Sequence, residues 1–546
     1  MNDKTATGLQ FHLREAGFLL VIFTSCIVFV FSEGARFGDA TTYAKQIRLG
    51  ALIEPGHLVW RPLGYFIGHA LDTLSTYSSA LWTLQGMCLA ASVAALAAIY
   101  VLCRNVAGPG IALFISGLTA ISNGYWFYAF SGCSYTLGIL FQTIALHYAI
   151  KKCEATQERK NAFAAGSFGG LAAGAWAPNL LAAPAILVAL ITTTGDSSRR
   201  VRQFLSKAGV VTLGYLTTFV FPLAFAYGCT GAQWRVGPTS SAVSFAQWLL
   251  TARHGVPLHI GVGPFLRATL GWAQSVISLS DLGYRLKLWF LAEGAFPVSS
   301  WGLSLMVFYG TVFLVAMILL RERSRLDVRT RALINAAALA LGLNLAFGIA
   351  WQGTDLERYM PSWPFQMALL AIALNVLWER ADRAQFIPLI FAPLVILGIV
   401  NWHGTFKPVL DANSYRNIWV TTIRQHASRD DLVVVFGQRK IVIVSPNDEN
   451  FPKIKEISDE IEKGGTGWRS VEISEIQRTQ KRGGTVFLGD SLFWLDSAPR
   501  DGWSFKENPV PTPRDIRDTF LPFKSETVAF TVGREQVWIA RTAISP

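Results

Sequence analysis

Residues able to do chemistry are concentrated in one short stretch of an otherwise apolar chain, GDATTYAKQIRLGALIEPGHLVWRPLG at residues 38–64. Asp39 can take a proton from a hydroxyl group, because a positioned carboxylate can act as a general base. Arg61 offers a planar fork of N–H donors that suits phosphate oxygens. Each residue also has a structural alternative, since Asp39 could cap a helix and Arg61 could reach lipid headgroups. The stretch predicts a catalytic loop that activates a hydroxyl and binds a phosphate.

Four further residues of this stretch are candidates for supporting roles. Lys45 is a candidate phosphate contact, and His57 could assist as an acid or a phosphate donor. Tyr43 and Glu54 are auxiliary candidates. Asp39 could act directly or through a bound divalent metal such as Mg or Mn, because these ions prefer oxygen ligands.

A second polar patch, GTDLERYMPSWPF at residues 353–365, lies between two apolar runs. Arg358 could hold a phosphate, Tyr359 could pack on the bound molecule, and Glu357 is an auxiliary candidate. The alternative is an ordinary loop with an exposed Arg–Glu pair, which contributes little stability. Tyr128 and Tyr135 belong to a third, aromatic patch, which could be an interfacial belt, a sugar-stacking surface or both.

The composition indicates a polytopic membrane protein. Of 546 residues, 51% are hydrophobic and 15% are charged, whereas soluble domains carry about 25% charged residues. The net charge of +12 comes from basic residues that alternate with apolar runs, so it is interpreted as a topology signal and not as a nucleic-acid surface. The 6 cysteines include no CxxC pair, which argues against a disulfide framework or a zinc site.

About 11 segments have the roughly 20 apolar residues that a spanning helix needs. These segments are 15–33, 78–103, 108–124, 132–150, 162–176, 178–194, 208–228, 301–320, 332–351, 362–378 and 385–402. With the N-terminus in the cytoplasm, every short cytoplasmic connection is rich in Lys and Arg, as the positive-inside rule requires. The loops 34–77 and 229–300 and the C-terminal region then face outward from the cytoplasmic (inner) membrane.

The chain is predicted to have two domains, a transmembrane domain at residues 1–402 and an extracytoplasmic α/β domain at residues 403–546. Within the second domain, DLVVVFG, KIVIVSP, GTVFLGD, TVAFTVG and QVWIARTA are typical of strands. SYRNIWVTTIRQHA and FPKIKEISDEIEKG are typical of helices. In the loop 229–300, SAVSFAQWLLTARHG and PFLRATLGWAQSVISL predict helices that lie on the membrane and pack around the first loop.

In the order and sidedness of its motifs, the chain resembles the GT-C class of membrane glycosyltransferases, in particular the protein O-mannosyltransferase-like and aminoarabinose-transferase-like families. Those families carry an acid in the first outer loop, which Asp39 matches in GDATTYAKQIRLG. A His or Tyr and then a basic residue before Pro follow, which His57 and Arg61 match in HLVWRPLG. A late RYxxP loop is matched by Arg358 and Tyr359 in ERYMPSWP. The resemblance covers roughly residues 15–400.

The resemblance implies an inverting enzyme with a polyprenyl-phosphate sugar donor and a protein, lipid or glycan acceptor. Asp39 would be the base, and Arg61 and Arg358 would bind the donor phosphate. The chain departs from the pattern at SGCSYTL, where Cys133 stands in the place of a second acid. That departure leaves a metal-dependent site in doubt. A lipid or glycan transporter, a non-catalytic envelope-assembly protein and a structural membrane scaffold are the alternatives.

Overall fold

The bounds of each element come from a computed structural model. It describes residues 23, 40–54, 56–75, 77–151, 155–191, 200–229, 261–279, 301–350, 353, 356–379, 395–436, 452–457, 467–493, 513–532 and 535–541. The first predicted span lies outside the described residues except for Phe23, and so do Asp39 and the predicted helix SAVSFAQWLLTARHG. The chain divides into two compact units, Met1–Ser280 with Val298–Phe406 and Asp281–Pro297 with Lys407–Pro546.

The first unit is helical throughout its described part. Its α-helices are α1 (Ala40–Arg48), α2 (Trp60–Ala70), α3 (Tyr77–Arg104), α4 (Pro109–Ile121), α5 (Asn123–Ala129), α6 (Tyr135–Ile150), α7 (Ala155–Ala175), α8 (Ala183–Ile191), α9 (Arg200–Tyr215), α10 (Phe221–Cys229), α11 (Val262–Val276), α12 (Trp301–Glu322), α13 (Val328–Ala350) and α14 (Trp363–Trp378). Short 3-10 helices, Ala177–Ala182 and Leu356–Ser362, precede α8 and α14, and a π-helical turn, Leu216–Val220, joins α9 to α10.

By length and composition, several of these helices are those of an integral membrane protein. Within the described residues, 5 helical segments are long and apolar enough to cross a membrane, namely Ser79–Arg104, Leu205–Ala226, Ser304–Glu322, Val328–Ala350 and Leu356–Trp378. Each coincides with a predicted span. Four shorter apolar helices, Pro109–Ile121, Tyr135–Ile150, Ala177–Leu190 and Val395–Gly404, overlap other predicted spans. The count of 11 spans stays a prediction.

Small side chains allow the helices of the first unit to approach one another closely. A buried cluster to which α6, α7, α8, α13 and α14 contribute contains many alanines, including Ala145, Ala165, Ala185 and Ala337. In an apolar solvent the driving force for helix association is close packing, which small residues permit. The predicted break around Pro178 and Asn179 is the 3-10 helix Ala177–Ala182, so the two short predicted spans are separate helices.

α7 and α9 approach each other closely, and glycines make this contact possible. A Cβ atom built on Gly166 would collide with the carbonyl oxygen of Val211, and one on Gly214 would lie 2.7 Å from the carbonyl oxygen of Phe163. Both distances are too short for real side chains, so the two backbones touch at these positions.

The second unit is a mixed sheet with helices on both faces. Its elements in chain order are α15 (Lys407–His426), β1 (Leu432–Val435), β2 (Lys453–Glu456), α16 (Trp468–Lys481), β3 (Val486–Gly489), α17 (Pro513–Phe520), β4 (Lys524–Val532) and β5 (Glu535–Ala540). The strand order is β2-β1-β3-β5-β4, with β1 parallel to β2 and β3, and β5 antiparallel to β3 and β4.

Side-chain alternation along β1 explains the two faces of the sheet. Val433 packs with Trp419 of α15 on one face, whereas Val434 packs with Trp468 of α16 on the other. The predicted helix over SYRNIWVTTIRQHA is confirmed as part of α15, and PFLRATLGWAQSVISL is confirmed over most of its length as α11. The predicted strand KIVIVSP lies outside the described residues.

One secondary-structure prediction is wrong. FPKIKEISDEIEKG was expected to be helical, but Lys453–Glu456 within it is strand β2, paired in parallel with β1. The charged residues give this segment a helix-like composition, while its partner strand supplies the hydrogen bonds that decide its structure. Lys453 and Lys455 pair with Glu475 and Glu472 of α16 at 2.5 and 3.4 Å, so the lysine charges are compensated by a neighbouring helix.

The α7–α9 contact can be tested with two glycine substitutions. Gly166→Leu should lower stability by about 1–3 kcal/mol, because the added side chain has no room against the backbone of α9. Gly209→Leu, also on α9, should leave stability nearly unchanged, since nothing lies within 4 Å of a Cβ at this position. Thermal unfolding of the two full-length variants in detergent measures the difference, and equal unfolding temperatures would contradict this packing.

Candidate functional site

Arg61 is fixed in place by the elements around it. It lies in the first turn of α2, and only 7% of its side chain is exposed. The guanidinium stands over the ring of Tyr43 from α1, with the carbon at its centre 5.2 Å from the ring centroid. Its Nη2 donates to the carboxylate of Glu54, whose side chain is 27% exposed. The buried charge therefore has both a counter-charge and an aromatic face.

Backbone hydrogen bonds attach the segment before α2 to the end of α7. Val59 N donates to the Gly174 carbonyl, and Ala177 N donates to the Gly56 carbonyl, both at 3.0 Å. Gly174 is needed here, because a Cβ on it would lie 2.9 Å from a methyl carbon of Val59. This pairing holds His57 between the two segments.

The contacts of His57 define how its ring is protonated. Its Nδ1 lies 2.7 Å from the hydroxyl oxygen of Ser134 and 3.0 Å from the carbonyl oxygen of Ala175. A carbonyl only accepts, so the bond to Ala175 requires a proton on Nδ1. In the neutral ring, Nε2 then carries the lone pair and can accept a proton or a hydrogen bond.

A tight turn at residues 131–134 packs against α1 and α2. Gly132 has a φ of +85°, in the left-handed region that favours glycine. Its carbonyl accepts a hydrogen bond from Trp60 Nε1 at 3.0 Å, and a Cβ on it would lie 3.0 Å from the Cβ of Ala40. Ala40 follows Asp39 in sequence, so this turn packs directly against the residue after the predicted base.

A row of aromatic rings connects the loop at residues 34–77 (the first loop) to the loop at residues 353–365 (the late loop). His57 stands 5.2 Å from Tyr43 and 6.1 Å from Tyr135, measured between ring centroids. Tyr135 in turn makes an edge contact with Tyr128 at 4.7 Å. The Tyr128 hydroxyl donates to Glu357 at 3.3 Å. The two polar patches identified in the sequence are therefore parts of one connected arrangement.

The late loop carries the second ion pair. Arg358 Nη2 lies 3.2 Å from Glu357 Oε1, and both side chains are mostly buried, with 12% and 17% exposed. The pair is therefore not the exposed loop pair that was the alternative interpretation. The side chain of Tyr359 is buried, and its hydroxyl lies 2.6 Å from the carbonyl oxygens of Ala268 and Gly353. It joins α11 to the late loop, and its assisting role stays a prediction.

The structure brings most of the sequence-predicted site residues together. The connected set consists of Tyr43, Glu54, His57, Arg61, Glu357 and Arg358. Asp39 and the side chain of Lys45 lie outside the described residues, so their placement stays a prediction.

Two members of this site were not singled out from the sequence. Ser134 bonds to His57, and Trp176 packs against Tyr135 with ring centroids 5.0 Å apart. The helix break after Trp176 was a usable signal for a specialised position. No local pattern marks Ser134.

Cys133, which stands where the resemblance predicts a second acid, lies in the turn at residues 131–134. It is fully buried, and its backbone N donates to the Ser131 hydroxyl at 3.0 Å. Among the residues that the structure describes, no three His, Cys, Asp or Glu side chains form a group able to hold a metal ion. Asp39, the predicted metal ligand, is not among those residues.

The chain is similar in fold to solved membrane enzymes. It matches the crystal structure of ArnT from Cupriavidus metallidurans in the apo state with a TM-score of 0.55 and 10% identity, over 97% of this chain and 99% of that chain. ArnT bound to undecaprenyl phosphate gives a TM-score of 0.54 and 10% identity, over 96% and 98%. The apo oligosaccharyltransferase of Archaeoglobus fulgidus gives 0.50 and 13%, over 88% and 69%. The sequence matches no protein-family model and no curated protein.

At these identities the likeness establishes the fold. ArnT and the archaeal oligosaccharyltransferase are both GT-C glycosyltransferases. The chain therefore has the GT-C fold, which confirms the class that its motifs resemble.

The contact between α2 and the 131–134 turn yields a prediction about stability. Trp60→Phe should destabilise the protein by about 1–3 kcal/mol, because it leaves the buried Gly132 carbonyl without its donor. Trp82→Phe on α3 is the matched control, since that side chain is 48% exposed. Thermal unfolding of both variants in detergent is the measurement. Equal loss of stability would show that the Trp60 hydrogen bond does not hold the turn.

Proposed function

We propose that the chain is a membrane glycosyltransferase that moves a sugar from a polyprenyl-phosphate-linked donor to an acceptor. The observation that carries the proposal is the connection of Arg61 to Arg358 through a row of rings, in a protein with the GT-C fold. In the proposed site both guanidinium groups face the leaving phosphate, because charge grows on its oxygens as the sugar departs. ArnT, which shares this fold, has been solved bound to undecaprenyl phosphate.

In the proposed inverting reaction, Asp39 removes the proton from the acceptor hydroxyl as the hydroxyl oxygen attacks the anomeric carbon of the sugar. The bond between that carbon and the phosphate oxygen breaks, and its electron pair leaves with the lipid phosphate. Arg61 and Arg358 stabilise the departing phosphate. Lys45 is a third phosphate contact that the proposal retains from the sequence.

The supporting residues keep these groups in position. His57 and Tyr43 hold the first loop together by their ring contacts, and Glu357 pairs with Arg358. A protein, lipid or glycan acceptor and a hexosyl or pentosyl sugar are all compatible with this site. If Asp39 is the base, a divalent metal bound to it is an additional means of activating the acceptor.

The proposed location is the cytoplasmic (inner) membrane, with the N-terminus in the cytoplasm and the reaction on the outer face. The distribution of Lys and Arg over the short connections supports this orientation. The C-terminal α/β unit would then be extracytoplasmic and would shape the acceptor side.

The assignment of the base is tested by Asp39→Asn. Loss of a general base should reduce transfer by about 10²-fold or more, while membrane insertion and folding are unaffected. The product is first defined by comparing the surface glycans of cells with and without the gene by mass spectrometry. The variants are then compared by the amount of that product.

Asp72→Asn is the matched control, because Asp72 lies in the same outer loop and is exposed. It should retain the wild-type amount of product. Wild-type transfer by Asp39→Asn would remove Asp39 from its assigned role.

The connection between the two loops is tested by Tyr128→Phe. Losing the hydroxyl bond to Glu357 should reduce transfer by up to about tenfold, which corresponds to roughly 1.4 kcal/mol, the size of one hydrogen bond. Tyr65→Phe is the control, because the Tyr65 hydroxyl has no hydrogen bond to any described residue. Equal transfer by both variants would show that the hydrogen bond from Tyr128 to Glu357 does not contribute to the reaction.

A further inference from the structure

Glu54 and Arg61 form a pair in which one partner is fixed and the other is accessible. Arg61 is held by α2 and by the ring of Tyr43, whereas Glu54 belongs to the irregular segment between α1 and α2. The Glu54 side chain is nearly four times more exposed than that of Arg61, at 27% against 7%. Glu54 can therefore leave the pair at lower cost than Arg61.

The segment around Glu54 is fixed by backbone hydrogen bonds on its C-terminal side, and on its N-terminal side Ile53 packs against the buried cluster of Ala173, Phe219 and Leu223. Gly56 and Val59 bond to the end of α7, which fixes the chain just after Glu54. On the other side, Gly50 has a φ of +69°, and a Cβ on it would meet nothing within 4 Å. A rotation of the half-buried Glu54 side chain would withdraw its carboxylate from Arg61 and leave the backbone bond from His57 N to the Glu54 carbonyl in place.

The hydrogen bonding of Arg61 is incomplete while Glu54 occupies it. Nη2 donates to Glu54, but Nε is buried and has no hydrogen-bond partner among the residues that the structure describes. A carboxylate that bonds through one oxygen leaves part of the guanidinium fork unused. A phosphate monoester or diester presents several oxygens, which can bond Nη2 and Nε in parallel. A phosphate therefore suits this guanidinium better than Glu54 does.

We propose that Glu54 is a displaceable occupant of the phosphate-binding edge of Arg61, released when the phosphate of the donor binds. This inference rests on the proposed function, and it assigns Glu54 a role opposite to that of an ordinary supporting residue. A carboxylate that merely orients Arg61 would strengthen phosphate binding. A carboxylate that competes with phosphate weakens it, because two anions cannot share the same N–H donors.

If Glu54 competes with phosphate for Arg61, removing its charge must strengthen phosphate binding. Binding of undecaprenyl phosphate is measured for the wild type, Glu54→Gln and Glu54→Ala, each as the full chain in phosphatidylcholine nanodiscs. Both variants should bind about fivefold more tightly than the wild type, the lower end of typical coupling between two ligands of one site. Unchanged or weaker binding by both variants, each shown to be folded at the temperature of the binding measurement, would overturn the proposal.

A control separates local competition from the general change in net charge. Glu475→Gln also removes one negative charge, but from a Lys453 and Arg478 cluster in the second unit. It should bind undecaprenyl phosphate as the wild type does. An increase equal to that of Glu54→Gln would reduce the effect to net charge and overturn the inference.

A second ligand distinguishes failure of this inference from failure of the proposed function. If neither the wild type nor the Glu54 variants bind undecaprenyl phosphate, the lipid donor is wrong. Inorganic phosphate then tests the exchange alone, through its effect on the unfolding temperature. If phosphate raises the unfolding temperature of Glu54→Gln more than that of the wild type, competition between Glu54 and phosphate is supported. Equal increases in unfolding temperature overturn it.

Discussion

A guanidinium removed from water must find compensation within the protein, and the described part of the loop 34–77 supplies that compensation at Arg61. Glu54 supplies the opposite charge and Tyr43 supplies a ring face. Removing one partner of such a buried pair costs far more than the net stabilisation of the pair itself. The structure thus keeps a mostly buried guanidinium whose charge is compensated by Glu54.

The aromatic rings between the two loops link the Arg61–Glu54 pair to the Arg358–Glu357 pair. Tyr135 contacts His57 on one side and Tyr128 on the other, and Tyr128 reaches Glu357. Aromatic side chains keep their geometry at low entropic cost, so they transmit position better than flexible chains. Segments far apart in sequence are therefore held in a common arrangement, with an Arg–Glu pair at each end.

Much of the fold follows from local pattern, whereas the site depends on long-range contacts. Apolar runs identified β1, β3, β4 and β5, because buried strands must be hydrophobic. Apolar runs did not identify the strand Lys453–Glu456, because its pairing with β1 outweighed its polar composition. Candidate residues such as Arg61 could be recognised by type. The contact of His57 with Ser134 could not, because it joins residues 77 positions apart, and the 3.0 Å bond from His57 to Ala175 joins residues 118 positions apart.

The central claim is that Arg61 and Arg358 serve one phosphate site. The most direct test is a cryo-EM structure of the full chain in nanodiscs with undecaprenyl phosphate. We expect phosphate density within hydrogen-bond distance of the guanidinium groups of both Arg61 and Arg358. Phosphate density elsewhere in the protein, with Arg61 still paired to Glu54, would contradict it.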